Sequence, residues 1–369
     1  MKEDWKYSKL GDICDLYQPK TISGDMLVED GEYLVYGANG IIGRYDRYNH
    51  EESEVLLTCR GATCGSINIS EPYSWINGNA MVVHPSNEKE LRKDFIRYYL
   101  ASVDWSKVIT GAAQPQITRQ SLSPLQVACP PLSEQESIVA ELDCLSGVIE
   151  KQKQQLKELD NLAQAIFYDM FGDPVTNEKG WEVKALGNMC DIINGFAFKS
   201  PLFTEDGDYI LRISNIQDGY VDLKDVAYFH KSDYPKVNFE KYAVLPNDIV
   251  VALSGATTGK LGINKTGFKL YLNQRVAICR EKSDKILREY LLYYLHEQSK
   301  KFLSDAAGVA QPNLSTEQMK EYKMCVPSVS VQQEFASKIE AIEKQKELIK
   351  QSLSETETLF NSRMDYYFN

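Results

Sequence analysis

The sequence lacks the features of membrane, secreted and metal-binding proteins. Its apolar runs fall well short of the ~20 residues that a transmembrane helix requires, and the N-terminus MKEDWKYSKL has no apolar core of a signal peptide. The eight cysteines include no CxxC pair and the four histidines lie far apart, so no zinc-site spacing is present. We therefore expect a cytoplasmic protein with reduced structural thiols and no metal ligands.

Catalytic motifs are also missing: there is no GxSxG, HExxH, dinucleotide-binding fingerprint or Asn-Pro-Pro-aromatic methyltransferase motif. Residues 255–262, GATTGKLG, resemble a phosphate-binding loop but are one residue too short, with Leu261 where Ser or Thr is required, so a glycine-permitted hairpin is expected. Asp173, Glu182 and Lys184 resemble a nuclease D…ExK pattern, but a solvated strand edge is favoured. These absences indicate a binding protein whose chemistry is supplied by partners.

The net charge of −11 is at first sight unfavourable for DNA binding, because phosphate contacts require Lys and Arg. The acidic residues are unevenly distributed, however. Residues 133–172 hold eight acidic and three basic side chains, and residues 330–369 hold seven and five, so these two stretches carry −7 of the total. The remaining chain carries only −4, and a DNA partner is not excluded.

The same two stretches carry an apolar stripe that alternates steps of four and three residues. In 133–172 the stripe comprises ten positions, nine of them apolar: Ile138, Leu142, Leu145, Ile149, Gln152, Leu156, Leu159, Ala163, Ile166 and Met170. The same steps, shifted by 197 residues, give Phe335, Ile339, Ile342, Lys346, Ile349, Leu353, Thr356, Phe360, Arg363 and Tyr367. Such narrow stripes are typical of paired helices. We expect the two helices to pair with each other rather than lie on separate domain surfaces.

Geometry favours an antiparallel pair over a parallel one. A helix of this length reaches about 55–60 Å at ~1.5 Å per residue, and only an antiparallel partner returns the chain to the first globular unit, with a pseudo-two-fold relation between halves. Gln152, Lys346 and Arg363 interrupt the stripes. They either fix the register, face a partner protein, or extend their polar ends to solvent.

The helix ends have sequence signals of their own. Capping boxes are predicted where each helix begins, Ser133 with Glu136 and Ser330 with Gln333. Gly172, followed by a proline two residues later, is predicted to end the first helix.

The globular parts repeat as well as the helices. The matched segments are LGDICD at 10–15 with LGNMCD at 186–191, RGATCG at 60–65 with SGATTG at 254–259, and GAAQPQI at 111–117 with GVAQPNL at 308–314. Short runs rich in Val, Ile and Tyr predict strands, with one or two helices following. We expect an α+β fold with globular domains at 1–132 and 173–329, and long antiparallel coiled-coil helices at 133–172 and 330–369.

The repeated motifs mark turns more clearly than contacts. Gly61, Gly65, Gly255 and Gly259 are expected to adopt positive φ or to permit close approach. Gln114 and Gln311, each before a proline, either pin a loop to the next strand or serve function. Candidate DNA-reading side chains are instead those suited to base edges and phosphates in divergent segments: Asn39, Arg44, Arg47, Arg60, Arg119, Lys199, Arg212, Asn215, Lys260, Gln274 and Arg275.

Four features together are specific: this architecture, the segment PPLSEQE, the long helix ending in DMFGDPVTNEKGW, and the paired GATxG and AQP motifs. In these features the whole chain resembles the specificity subunit of Type I restriction-modification systems. The resemblance implies two target recognition domains, each reading half of a bipartite DNA site, and an antiparallel helical spacer that docks two methyltransferase subunits. It also implies two motor and nuclease subunits. S-adenosylmethionine, ATP and Mg²⁺ would then be bound by these partners and none by this chain.

The loops of the two units differ strongly, which predicts two different half-sites rather than a palindrome. Their centres should lie about 10 bp, or ~34 Å, apart, so that both units face one side of the duplex. The alternative is a non-catalytic scaffold whose units bind RNA or protein. Salt-sensitive, sequence-selective duplex binding would discriminate between these functions.

Overall fold

The computed structural model describes residues 5–111, 115–282, 284–306 and 314–368. The chain forms two compact units: unit 1 comprises Met1–Gln154 with Ile349–Asn369, and unit 2 comprises Gln155–Leu348. Each unit therefore contains a globular part and one half of each long helix. The predicted domain boundaries, which separate helices from globular parts at 132, 172 and 329, remain predictions.

The first half of the chain alternates short strands with helices and ends in the first long helix. Its elements are β1 Lys6–Lys9, α1 Leu10–Ile13, β2 Cys14–Tyr17, β3 Tyr33–Gly37, β4 Gly40–Tyr45, β5 Val55–Thr58, β6 Ile67–Ile69, β7 Trp75–Ile76, β8 Ala80–Pro85, α2 Lys93–Ser102, α3 Arg119–Leu122, β9 Gln126–Cys129 and α4 Leu132–Phe171.

The second half follows the same order with additional strands. Its elements are β10 Glu182–Ala185, α5 Leu186–Met189, β11 Cys190–Asn194, β12 Asp208–Leu211, β13 Gly219–Tyr220, β14 Ala227–Phe229, β15 Ala243–Val244, β16 Ile249–Ala252, β17 Leu261–Ile263, β18 Leu270–Leu272, β19 Val276–Glu281, α6 Arg288–Ala306, α7 Thr316–Glu321, β20 Lys323–Val326 and α8 Val329–Phe368.

Strand pairing confirms the internal repeat. In unit 1 the main sheet has the order β2-β8-β5-β6, and a second sheet has the order β4-β3-β7, in which β3 and β7 are parallel. Unit 2 repeats these as β11-β19-β16-β17-β13 and β14-β12-β18-β15, with β12 and β18 parallel. The pairs β1-β9 and β10-β20 also correspond. The predicted α+β fold with an internal repeat is therefore confirmed.

The long helices contribute to the cores of both units. In unit 1, Ile138 and Leu142 of α4 are fully buried with strands of the main sheet, and Phe360 of α8 packs against the same cluster. In unit 2, Phe335 and Ile339 of α8 are buried against the corresponding sheet. The ends of the apolar stripes thus pack into globular cores as well as against a helix.

Away from those cores the stripe is as narrow as the sequence predicts. Between residues 148 and 162, the side chains that are not exposed are those of Ile149, Gln152, Leu156 and Leu159. The remaining predicted interface positions are all buried or half-buried in their own unit: Leu145, Ile342, Ile349 and Leu353. Contact of any of these residues with a partner protein stays a prediction.

The three polar interruptions pair across the helices. In unit 1, Arg363 Nε lies 2.5 Å from Glu141 Oε1, and Gln152 Nε2 donates to Ser352 Oγ at 2.8 Å. In unit 2, Lys346 Nζ lies 2.7 Å from Asp160 Oδ1. Within unit 1, higher residue numbers in α4 pair with lower residue numbers in α8, so the helices are antiparallel, as predicted.

The predicted capping boxes are wrong. Helices α4 and α8 begin one residue earlier than predicted, so Ser133 and Ser330 lie inside the first turn. The carbonyl of Pro131 accepts from the N–H groups of Glu134 and Gln135 at the start of α4. The C-terminal prediction is confirmed: Gly172 has φ +73° and its N–H donates to Tyr168 O at 2.8 Å.

Two equivalent glutamines anchor the helix starts instead. Gln135 is fully buried; its Nε2 donates to Glu90 O and Pro130 O, both at 2.8 Å, and its Oε1 accepts from Arg92 N at 2.9 Å. Gln332 is fully buried with the same pattern, donating to Lys285 O at 2.9 Å and Pro327 O at 2.8 Å and accepting from Leu287 N at 2.8 Å. Each amide thus joins its helix to the preceding loop.

Gln332→Ala should lower the free energy of unfolding by about 2–4 kcal/mol, because two carbonyls and one N–H lose buried partners. Urea-induced unfolding of the purified chain measures the change. The exposed neighbour Gln333 supplies the control, since Gln333→Ala should change stability by no more than about 0.5 kcal/mol. Equal effects of both substitutions would contradict this role.

Candidate nucleic-acid interface

In unit 2 several turns meet at one end of the two sheets. Strands β12 and β18 are parallel, so their carboxyl ends are adjacent, and Asn273 N–H donates to Leu211 O at 3.0 Å. Leu253, which follows β16, donates its N–H to Arg275 O at 2.9 Å. We call this surface turn end 2, comprising residues 195–199, 212–215, 253–260 and 273–275.

Unit 1 builds the equivalent surface with the same connections. Asn77 N–H, after β7, donates to Tyr36 O at 2.9 Å, and the Thr58 hydroxyl, at the end of β5, donates to Ala38 O. This brings the β3–β4 turn against the loop after β5. We call this surface turn end 1, comprising residues 18–21, 38–41, 59–65, 77–79 and 116–119.

Three of the five predicted side chains of unit 1 lie at turn end 1. Asn39 is exposed in the β3–β4 turn, and Arg60 is exposed immediately after β5. Arg119 begins α3 two residues after Ile117, whose N–H donates to Cys59 O at 2.9 Å. The structure therefore brings Asn39, Arg60 and Arg119 to one end of unit 1.

The other two predicted arginines of unit 1 lie away from this surface. Arg44 pairs with Leu34 near the start of β3, and its Nη1 donates to Gly31 O at 3.0 Å and Glu32 O at 3.2 Å. Arg47 is exposed beyond the end of β4. The hairpin carries both arginines to the end of β3 opposite Asn39, which residue type alone does not reveal.

In unit 2, all six predicted side chains lie in the segments that form turn end 2: Lys199, Arg212, Asn215, Lys260, Gln274 and Arg275. Gln274 and Arg275 are exposed in the β18–β19 turn, and Gln274 N–H donates to Phe196 O at 2.9 Å. That hydrogen bond places the segment 195–199, with the exposed Lys199, next to the β18–β19 turn. Lys260 is half-buried in the loop after β16. These residues share one end of unit 2.

Arg212 and Asn215 also follow β12, but both have structural partners. Asn215 is 2% exposed; its Oδ1 accepts from Arg212 N at 3.1 Å and its Nδ2 donates to Asp222 O at 3.1 Å. The amide of Asn215 closes a turn and has no free edge for a base, so Asn215 is removed from the candidate set. Arg212 Nη2 donates to Asp225 O at 2.7 Å, which ties it to a neighbouring loop.

The remaining turn-end side chains are available for a ligand. Within the described part of the chain, no hydrogen-bond or ion-pair partner satisfies the side chains of Asn39, Arg60, Arg119, Lys199, Gln274 and Arg275. A further residue, Lys20, was missed by sequence reasoning. It lies exposed between Gln18, whose Nε2 donates to Gly78 O at 2.8 Å, and Thr21, whose hydroxyl accepts from Gly78 N. Its place in the loop after β2, which corresponds to the loop that carries Lys199 after β11, is the signal that could have identified it.

The opposite end of unit 1 carries mixed charge, with three carboxylates around one lysine. Lys93 Nζ lies 3.3 Å from Glu52, 3.8 Å from Glu54 and 3.6 Å from Glu88, near the start of β5. The buried Glu54 also contacts His84 Nδ1 at 3.0 Å. The carboxylates where β5 begins are therefore paired with cations, whereas Arg60, just after β5, has no ion-pair partner among the described residues.

The repeated glycine loops have the predicted conformation. Gly61, Gly65, Gly255 and Gly259 have φ values of +90°, +96°, +81° and +83°, which confirms their predicted role in turns. Gln114 and Gln311 lie outside the described residues.

The residues that resembled a nuclease motif lie on an ordinary strand. Glu182 and Lys184 lie on β10 with Lys184 Nζ 3.0 Å from Glu182 Oε2. In the described ranges no cluster of three or more His, Cys, Asp or Glu side chains is placed to hold a metal ion. No helix in the same ranges is long and apolar enough to cross a membrane.

The Lys346 cluster predicts an acid sensitivity of unit 2. Burial raises the pKa of Glu343, but hydrogen bonds from Lys346 and Lys265 outweigh it, so the pKa lies below its usual value. This stabilisation is present above the pKa of the unfolded state and is lost as pH falls through the folded pKa. Lys346→Met removes one donor, so the unfolding midpoint should depend less on pH between 7 and 3. The exposed Lys344→Met should keep the wild-type dependence; an unchanged profile in Lys346→Met would contradict the assignment.

Comparison with known proteins decides the family. The profile of the Type I restriction modification DNA specificity domain matches residues 2–161 and 178–358, one match over most of each half of the chain. The chain belongs to this family. The Type I restriction enzyme MjaVIII specificity subunit of Methanocaldococcus jannaschii is 26% identical over 378 residues, covering 92% of this chain and 86% of that protein. The EcoAI specificity subunit of Escherichia coli is 32% identical over 178 residues, covering 46% and 29%.

Solved structures show the same fold. The S subunit of a Type I restriction-modification system from M. genitalium aligns with a TM-score of 0.63 at 15% identity, covering 98% of this chain and 95% of that one. A chain from a study of complex assembly and conformational transition of the type I R-M system gives 0.58 at 16% identity, covering 100% and 98%. The family match, rather than these structures, makes the chain a non-catalytic DNA specificity subunit; methylation and cleavage are carried out by other subunits.

Proposed function

We propose that each unit of this specificity subunit reads one half of an asymmetric bipartite DNA sequence through its turn end. One observation carries the proposal: equivalent ends of the two units present exposed cationic and amide side chains without partners in the described chain. Family membership favours DNA over the RNA- or protein-binding alternative.

The two surfaces differ in chemistry, which supports two different half-sites. Turn end 2 has Gln274 next to Arg275, side chains suited to bidentate contacts with adenine and guanine in the major groove. Turn end 1 has Asn39 and Arg60 on separate turns. Lys20, Lys199 and Lys260 are suited to phosphates, which fix register on the duplex.

The paired helices set the gap between half-sites and dock two methyltransferase subunits in this proposal. Apolar side chains that point away from the stripe support a docking role, because exposed apolar residues on a helix favour a partner surface: Val148, Leu162, Leu348 and Leu359. The methyltransferases would bring S-adenosylmethionine, and two motor and nuclease subunits would bring ATP and Mg²⁺. The half-site centres would lie about 10 bp apart.

The test is single-molecule sequencing of DNA from cells that carry the system. An adenine-methylated motif with two unlike halves and a fixed gap is expected, and a palindromic or ungapped motif would refute the proposal. Variants assign the halves: Arg275→Ala should relax one half only, and Arg60→Ala the other. Arg47→Ala, which changes an exposed arginine away from turn end 1, supplies the control and should leave the motif unchanged.

A further inference from the structure

The tip of the β3–β4 hairpin exposes two large apolar side chains beside the predicted DNA-reading residues. Ile41 is 56% exposed and Ile42 is 49% exposed, immediately after Asn39 and Gly40. Exposed isoleucine is unfavourable in water, so a pair at a hairpin tip indicates a ligand surface. At turn end 2, by contrast, none of the described side chains is a large exposed hydrophobic residue.

The tip is held in one conformation. Gly40 has φ +98°, which allows the tight turn, and the Thr58 hydroxyl holds Ala38 O. Ile42 lies over Gly37: a Cβ built on Gly37 would come within 2.6 Å of Ile42 Cγ2. Ile42 is therefore partly engaged within the hairpin, whereas Ile41 is the more exposed of the two.

We infer that Ile41 reads a thymine by contacting its C5-methyl group in the major groove, so that the half-site of unit 1 contains a thymine next to the base that Asn39 reads. This inference rests on the proposed function. Apolar side chains recognise thymine in this way because the methyl group is the apolar feature of the major groove edge. Asn39, which is suited to adenine, and Arg60, which is suited to guanine, reach the same groove from neighbouring turns.

The alternative use of an exposed isoleucine on DNA is as a wedge between base steps, entered from the minor groove. The neighbours favour the major groove, because amide and guanidinium groups that discriminate all four base pairs do so there. Ile42 also packs over Gly37. This contact supports the tip of the hairpin and so fixes the position of Ile41 relative to Asn39.

The experiment uses the complex of this chain with its methyltransferase subunits and a duplex carrying the sequenced motif. Each thymine of the unit 1 half-site, on either strand, is replaced in turn by deoxyuridine, which removes only the methyl group. One position should weaken binding by about fourfold, the value of one buried methyl group. Deoxyuridine in the half-site of unit 2 should have no effect.

Matched variants make the result specific. Ile41→Ala should bind the thymine duplex about fourfold or more weakly and lose its sensitivity to deoxyuridine, while Ile69→Ala, an exposed isoleucine on β6, should behave as wild type. A unit 1 half-site without thymine, or equal deoxyuridine sensitivity in Ile41→Ala, would overturn the inference. Weaker binding by Ile41→Ala without any deoxyuridine effect would indicate a wedge and overturn it too. Failure of the proposed function would give a different result from failure of this inference: if turn end 1 did not read DNA, Arg60→Ala would bind the duplex as tightly as the wild type.

Discussion

Replacing Phe167 by alanine should lower the free energy of unfolding of unit 2 by about 3–5 kcal/mol, the usual range for a buried aromatic side chain. Phe167 is fully buried where α4, α6 and α8 meet. Its ring centroid lies 5.8 Å from those of Tyr290 and Phe335 and 5.2 Å from that of Phe171. Truncation leaves a cavity lined by rigid rings that cannot collapse into it, and edge-to-face contacts are lost as well.

Chemical denaturation of the purified chain measures this loss. Leu162→Ala is the matched control, because Leu162 lies on the same helix and is 48% exposed, so its replacement should change stability by about 0.5 kcal/mol or less. If Phe167→Ala were no more destabilised than Leu162→Ala, the packing of α4 into unit 2 would be incorrect.

Inserting seven residues into both long helices should lengthen the gap of the methylated motif by about 3 bp. Seven helical residues add ~10.5 Å, against 3.4 Å per base pair along one strand. The insertions belong after Gln154 in α4 and after Leu348 in α8, at the division between the units in both helices. A whole heptad preserves the alternation of four and three residues, so the apolar stripe stays continuous.

Single-molecule sequencing of methylated DNA measures the new gap. Insertion into α4 alone is the control: it leaves seven residues of α4 without a partner, and loss of methylation is expected. A double insertion that methylates the original motif would show that the helices do not set the gap.

The helices were predictable from sequence because their signal is periodic and extends over forty residues. All ten positions of each stripe are buried or half-buried, from Ile138 to Met170 and from Phe335 to Tyr367. The repeat also located the strands: LGDICD and LGNMCD span α1–β2 and α5–β11, and RGATCG and SGATTG follow β5 and β16. Helical periodicity and internal repeats are both patterns of residue spacing, so a single sequence is enough to detect them.

The helix starts and part of the interface were not predictable, because they depend on contacts distant in sequence. Gln135 reaches Arg92 and Glu90, and nothing in PPLSEQE distinguishes it from the surface-exposed Glu136. The serine signals for capping boxes were local and were overridden by these anchors. Arg44 and Asn215 are residue types that can contact bases. Strand direction, however, places Arg44 at the end of β3 opposite Asn39, and Asn215 is buried with its amide already hydrogen-bonded.

The polar pairs between the helices also determine which alignments of the stripe are tolerated. An apolar heptad repeat packs almost equally well after a shift of seven residues. Such a shift would move Lys346 from Asp160 to a place opposite Lys153 or Phe167. Its side chain, which is 16% exposed, would then keep only Glu343 of its own helix as a carboxylate partner. It would likewise move Arg363 from Glu141 to a place opposite Glu134 or Val148. A shift in either direction thereby loses the Lys346–Asp160 ion pair, and the shift that places Arg363 opposite Val148 loses the Arg363–Glu141 pair as well. In the proposed function, a few charged side chains rather than the apolar repeat would therefore fix the length of DNA between the half-sites.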